Sequence, residues 1–258
     1  MSQITTELVK QLRDSTGVSV MQCKKALEEA GGDMEKAIVI LKKSSSDIAI
    51  KKAGREANDG AIMIKADSNK TVLVVLNCET DFVAKNEDFT NLLSALTNKA
   101  LTDGVETMKA GSKEMIDQII QKTGENIQLG ETAEVTGNII GSYVHNGKSA
   151  VIVSLEGGST ELAKDIAMHV AAMKPEYVTL DEISEENKKT VSEIFEKEVM
   201  ASDKPEDIKK KMLEGKIAGY FKEKTLVEQN FIKNPDETIA SLLSKAGAKI
   251  VEVKRYSI

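Results

Sequence analysis

A chain of 258 residues with 41 acidic against 35 basic side chains carries a formal charge of −6, the wrong sign for a protein that depends on gripping nucleic-acid backbone. It is long enough for one large domain or two to three small ones, and no apolar run approaches the ~20 residues of a membrane span. With no Trp and only five Phe, its cores must be built from Ile, Val, Leu, Met and Ala.

Residues 1–43 read as three short helices. The first carries Ile4, Leu8, Val9 and Leu12 on one stripe and ends at the Thr16-Gly17 turn. Ser19 with Gln22 three residues later is a capping-box pattern for a second helix, whose stripe is Val20, Cys23, Ala26 and Leu27. Gly31-Gly32 ends it, and Asp33 is an N-cap for a third helix with Met34, Ala37, Ile38 and Leu41. Three helices of this size make a minimal bundle similar to a ubiquitin-associated (UBA) domain. The stretch 16–21 leaves Val20 or Met21 facing outward, with a core place for Met21 as the equal alternative. Ser44-Ser45-Ser46 then opens a helix-compatible stretch that is a linker by composition, residues 44–59. Its Lys51, Lys52 and Arg55 form either a solvated face or a dock for an acidic partner.

The middle of the chain repeats itself. Ile62-Met63-Ile64-Lys65 leads through Asp67-Ser68-Asn69 into Lys70-Thr71-Val72-Leu73-Val74-Val75. Ile140-Gly141-Ser142-Tyr143 leads through His145-Asn146-Gly147 into Lys148-Ser149-Ala150-Val151-Ile152-Val153, at a constant offset of 78 residues. Each copy reads as a β-hairpin followed by a helix, over 89–101 and 162–173, which predicts two related α+β subdomains with antiparallel sheets. Residues 114–122 read as another helix and 124–135 as irregular or strand.

One corner of the first copy carries the most chemistry. Asn77-Cys78-Glu79-Thr80-Asp81-Phe82-Val83-Ala84-Lys85 joins a buried strand to a helix marked by Phe89, Leu92, Leu93 and Leu96. Either Phe82 is presented outward beside Asp81, or it packs under the helix that follows.

Residues 181 to about 224 are highly charged and helix-favouring. Val191, Ile194, Phe195 and Val199 line one helix, Ser202-Asp203-Lys204-Pro205 breaks it, and Ile208, Met212, Ile217, Tyr220 and Phe221 line the return. This antiparallel hairpin has too thin a seam for a domain core, so it projects and is suited to association with another chain. A helix over 237–245 and a strand over 249–255 close the chain.

The missing chemistry narrows the function. There is no Gly-x-x-x-x-Gly-Lys-Ser/Thr phosphate-binding loop, no paired-glycine dinucleotide fingerprint, no Cys-x-x-Cys and no Gly-x-Ser-x-Gly elbow. His145 and His169 are the only histidines, and neither has a second ligand near it in sequence, so no metal and no cofactor is expected. Cys23 and Cys78, far apart and in apolar contexts, read as buried thiols of a reducing compartment, with a disulfide left open. Met1-Ser2-Gln3-Ile4 lacks the layout of a secretory signal. The default is therefore a binding protein. An enzyme using Asp81 and Glu79 as carboxylates between the duplicated subdomains is a weaker alternative.

The order of parts and four motifs resemble elongation factor Ts almost end to end. The motifs are Thr16-Gly17 through Cys23-Lys24-Lys25-Ala26-Leu27, Thr80-Asp81-Phe82-Val83-Ala84-Lys85, Gly141-Ser142-Tyr143 with His145, and Ile166-Ala167-Met168-His169-Val170-Ala171-Ala172 before Lys174-Pro175-Glu176. The resemblance implies a non-enzymatic guanine-nucleotide exchange factor of the bacterial cytoplasm. Its partner would be elongation factor Tu (EF-Tu), both GDP-bound and nucleotide-free, with no membrane and no direct nucleic acid, and the hairpin is open to a homodimer or heterotetramer. It implies a wedge at the nucleotide site from Thr80, Asp81, Phe82 and Val83, docking by Arg13, Val20, Met21 and Lys24, and further contacts from Lys51, Lys52 and His145. It implies domains at 1–43, 60–136 and 137–258, the last with the hairpin inserted. Two departures stand out: the chain stops at Ile258 soon after its last strand, where some members have an extra helix, and Val20 stands where some have a methionine. The competing reading is a UBA-like adaptor without exchange activity, for which 1–43 would suffice.

Overall fold

Thr5, Ser19 and Asp33 each accept the backbone N–H three residues on, and so start α1 (Thr6–Thr16), α2 (Val20–Glu29) and α3 (Met34–Lys52). The structure, a computed structural model, describes residues 4–202 and 204–258; Met1-Ser2-Gln3 of the signal reading and Asp203 of the predicted break lie outside the described residues. The capping box at Ser19 is only half made. Ser19 Oγ accepts from Gln22 N at 3.4 Å, but the buried Gln22 Oε1 finds no partner among the described residues. Val9, Leu12, Val18, Cys23, Ala26, Leu27, Ala37 and Leu41 form the core of this bundle.

The third helix departs from expectation. Ser44-Ser45-Ser46 is not the start of a linker but the middle of α3, which continues to Lys52. The reason lies in α6 (Val105–Thr123), which begins nine residues before the predicted 114. Gln121 Nε2 donates to Ser44 Oγ at 3.0 Å and Ser46 Oγ donates to the buried Asp117 carboxylate at 2.8 Å. The small hydroxyls let the two helices meet and satisfy each other's polar groups, which a low dielectric makes necessary.

The chain forms two units: residues up to 134 with Asn146–Ala150 and Tyr256–Ile258, and residues 135–145 with 151–255. In the first, β1 (Asp59–Ala66) pairs antiparallel with β2 (Lys70–Cys78), Asp59 opposite Cys78 and Ala66 opposite Thr71. β3 (Gln128–Thr136) lies on the other side of β2. Short α4 (Asp81–Ala84) and α5 (Glu87–Asp103) follow β2. Phe89, Leu92, Leu93 and Leu96 of α5 pack with Val72, Val74 and Leu76 of β2, each such burial contributing about 2 kcal/mol.

In the second unit the sheet order is β4 (Ile139–His145), β5 (Ser149–Glu156), β8 (Lys249–Ser257), covered by α7 (Thr160–Met173). Ala163, Ile166, Ala167 and Val170 of α7 join Val151, Val153 and Leu155 of β5 in its core. The α8 (Glu185–Met200) and α9 (Glu206–Lys224) hairpin is thin at its seam, with only Val199 and Phe221 buried among its described residues. Phe195 meets Tyr220 edge-on at 5.8 Å, Lys216 reaches Glu198 at 2.7 Å, and Ile194 stays exposed. Short strands β6 (Asn230–Phe231) and β7 (Asn234–Thr238) and helix α10 (Ile239–Lys245) complete this unit. The architecture is α+β with an N-terminal helical bundle. Cys23 and Cys78 are buried free thiols, and burial pushes the Cys78 thiol up to about 11.

Candidate functional site

The nine residues singled out in the sequence form a short, tightly held corner. Thr80 caps α4, its hydroxyl accepting from Val83 N at 3.4 Å. Ala84 is buried and Val83 packs against the core of the first unit, which fixes two sides of this single turn. The third side faces solvent, and Phe82 stands on it with 81% of its surface exposed. Packing under the following helix is thereby ruled out: Phe89, not Phe82, fills that place. An exposed Phe forgoes about 2 kcal/mol of burial, so its presentation has to be held by something other than its own contacts.

What holds it comes from the loop after α6. Glu125 accepts from Glu79 N at 3.1 Å, Thr80 N at 3.0 Å and Thr80 Oγ1 at 2.7 Å. In return the Glu79 carboxylate accepts from Asn126 N at 2.7 Å and from Arg55 at 3.5 Å, while Asn126 Nδ2 donates to Arg55 O at 2.6 Å. The Asn126 N–H, then Arg55 and Lys52, hold the Glu79 carboxyl below its usual range. Asp81, beside Phe82, pairs with Lys85 at 2.7 Å, and that carboxylate raises the Lys85 ammonium above its ordinary value.

The other predicted residues fall at three places. Val20 and Met21 lie on the first turn of α2, 52% and 81% exposed, so the core place for Met21 is excluded. Lys24 is exposed on the same helix, 3.9 Å from Glu28, and Arg13 is exposed on α1, its carbonyl accepting from Gly17 N. Lys51 and Lys52 form the last turn of α3, and Lys52 is the one whose charge reaches Glu79 at the corner. His145, in the second unit, is exposed at the end of β4, its Nδ1 3.0 Å from the Tyr143 hydroxyl.

His169 is a satisfied core histidine. Ile232 N donates to Nδ1 at 3.2 Å, which leaves the proton on Nε2 for Gln229 Oε1 at 2.9 Å, and burial lowers its pKa. Glu125 and Asn126 were missed in the sequence. Gly124-Glu125-Asn126 reads as an ordinary loop, and only the unpaired amides of 79 and 80 just past a strand end hint that a carboxylate must arrive there.

Among the described residues, no group of three or more His, Cys, Asp or Glu stands where it could hold a metal ion, and no helix is long and apolar enough to cross a membrane. The predicted residues of the first unit thus present an outward phenylalanine beside an ion pair, and two exposed apolar side chains on α2.

Known proteins place the chain. The family profile described as Elongation factor TS matches residues 79–258. Elongation factor Ts of Hahella chejuensis is 42% identical over 265 aligned residues, covering all of this chain and 93% of that relative. Those of Pseudomonas fluorescens (strain Pf0-1) and Pseudomonas syringae pv. tomato are 41% and 42% identical, each covering all of this chain and 92% of the relative. The chain therefore belongs to the elongation factor Ts family and acts in translation elongation.

Proposed function

We propose that this chain is a guanine-nucleotide exchange factor that binds GDP-bound EF-Tu, disturbs its magnesium and phosphate site, and promotes GDP release by binding alone. The observation that carries the reading is Phe82, exposed on an anchored turn beside Asp81 in a chain of this family. A bound nucleotide is held by a magnesium ion and by backbone amides that cradle its phosphates. An apolar ring inserted behind that site displaces those elements, and a neighbouring carboxylate disturbs the ligand shell of the ion indirectly. Thr80 and Val83 set the turn from which both project.

The effect is a coupling of two binding equilibria, each weakening the other by the same factor. Every tenfold of loosening requires ~1.4 kcal/mol of contacts made only in the loosened state. Phe82 as a buried hot spot contributes roughly 2–4 kcal/mol, so a broad interface supplies the remainder. Arg13, Val20, Met21 and Lys24 dock the bundle, Lys51 and Lys52 stand near the nucleotide, and His145 meets another part of the partner. On this reading the working domains are 1–43, 60–136 and 137–258, EF-Tu is engaged both GDP-bound and nucleotide-free, and the setting is the bacterial cytoplasm. Association of two such chains through the α8–α9 hairpin belongs to the same proposal.

The test is release of a fluorescent GDP analogue from purified EF-Tu. The native chain is expected to accelerate release, and Phe82→Ala to lose about 30-fold of that acceleration, corresponding to about 2 kcal/mol. Binding by the native chain with unchanged release would sink the exchange reading and leave the adaptor reading in its place.

A further inference from the structure

We propose that Glu125 is a positioning residue for exchange: its carboxylate, brought in by the loop after α6, aims the turn that carries Phe82. This rests on the exchange reading. With 81% of its surface exposed, Phe82 has little packing to choose its direction, so the direction is set chiefly by the backbone of residues 79–82. Two amides of that backbone, Glu79 N and Thr80 N, lie beyond the last residue of β2 and take no partner from the sheet. Both donate to Glu125 Oε2, and Thr80 Oγ1 donates to Oε1.

The supply of that carboxylate is itself built. α6 ends at Gly124 in the left-handed region (φ +76°), whose N–H bonds Ile120 O at 2.8 Å, and the chain reverses there to present Glu125. The next residue, Asn126, is 2% exposed and returns a bond from its N–H to Glu79. Residues 79–80 and 125–126 thus exchange bonds as two facing pairs. Three residues earlier on α6, Lys122 pairs with Asp88 at the start of α5 at 2.8 Å. The C-terminal end of α6 therefore grips the corner on both sides of Phe82 without touching the ring's exposed face.

A group that only positions the wedge changes how well the bound complex loosens nucleotide, more than how tightly the complex forms. In the GDP-release assay, Glu125→Ala is expected to lower the maximal rate about tenfold while half-saturation moves less than about threefold. Glu125→Gln keeps an acceptor oxygen for the two amides and is expected to recover most of the rate. Combined with Phe82→Ala, Glu125→Ala is expected to add almost nothing, because the two act through one side chain. Native-state hydrogen exchange should show the Glu79 and Thr80 amides losing protection in Glu125→Ala, with the Val74 amide in β2 unchanged.

A folded Glu125→Ala variant with a native maximal rate, or a full additional loss on top of Phe82→Ala, overturns the assignment. If Glu125→Ala does not fold, Glu125→Asp draws the same carboxylate back from the two amides and carries the same rate and additivity tests. A native chain that leaves release unchanged overturns the exchange reading and the role of Glu125 with it. A responsive native chain whose rate ignores Glu125 overturns only the positioning role.

Discussion

The two copies of the repeated unit differ most where strand turns into helix. In the second copy three residues, 157–159, connect β5 to α7, and two of them are Gly157 and Gly158 at φ +78°. In the first copy the connection is residues 79–86, five residues longer, and the extra length forms the α4 turn that carries Asp81 and Phe82. Helix seating differs as well. A Cβ at Gly141 of β4 would lie 2.1 Å from Lys164 N and 2.2 Å from Ala163 C, so α7 rests on bare backbone there. The position 78 residues earlier is Met63, a full side chain packed against the first core. One copy has been closed down for packing, and the other has been opened at its corner and holds itself together with carboxylates.

The sharpest way to break this contrast is at Gly141. Gly141→Ala is expected to cost about 3 kcal/mol of stability, at the upper end for overpacking, because the obstructing atoms are backbone. Denaturant midpoints with an unchanged slope would measure it. Met63→Ala, at the matching place, should cost only about 1 kcal/mol because its side chain is partly buried. Equal losses would mean the two copies seat their helices alike. Phe82→Ala belongs at the far end of the same scale, leaving stability within about 0.5 kcal/mol while exchange falls.

A pH titration separates the helices. Leu96 and His169 are each the tenth residue of their helix, and both are fully buried. His169 is held neutral, its pKa lowered by burial. The unfolded chain therefore binds the proton first as pH falls, and the stability tied to His169 is fully present above its unfolded value near 6.5. It is lost as pH falls from there through the lower folded value. His169→Gln should flatten that part of the stability profile, and an unchanged profile would contradict the buried neutral ring.

The turns give the smallest effect. Asn146 and Gly147 both have positive φ, +51° and +69°, as a tight primed turn requires, whereas Asp67 Oδ1 closes the first turn by accepting from Asn69 N and Lys70 N. Gly147→Ala should cost about 1 kcal/mol. Asn69→Ala should be close to neutral, as thermal unfolding would show.

Local rules explain why much of this could be read from the chain. Thr16-Gly17, Ser19, Asp33 and Pro205 act within a few residues, and the 78-residue offset is a property of the string itself. Three features were not legible because their causes lie far away in sequence. Ser44-Ser45-Ser46 looks like a linker until Asp117 and Gln121 answer it from α6. Phe82 reads either as presented outward or as packed under the next helix until Phe89 is seen to occupy that space. Glu125 means nothing without the two amides it serves, 45 and 46 residues before it. Exposure and long-range polar pairing are results of tertiary structure, and a sequence pattern carries them only weakly.

The base of the α8–α9 hairpin has a consequence of its own. Glu176 N and Tyr177 N both donate to Lys224 O, Leu226 N donates to Tyr177 O, and Val227 N donates to Val178 O. Within the second unit, the chain enters and leaves the hairpin through one stitched base, with Thr225 fully buried at its closing side. Loop-closure entropy rises only slowly with loop length, and here the ends are already fastened. Helical turns added to or trimmed from the far end of the excursion therefore carry little thermodynamic consequence for the sheet.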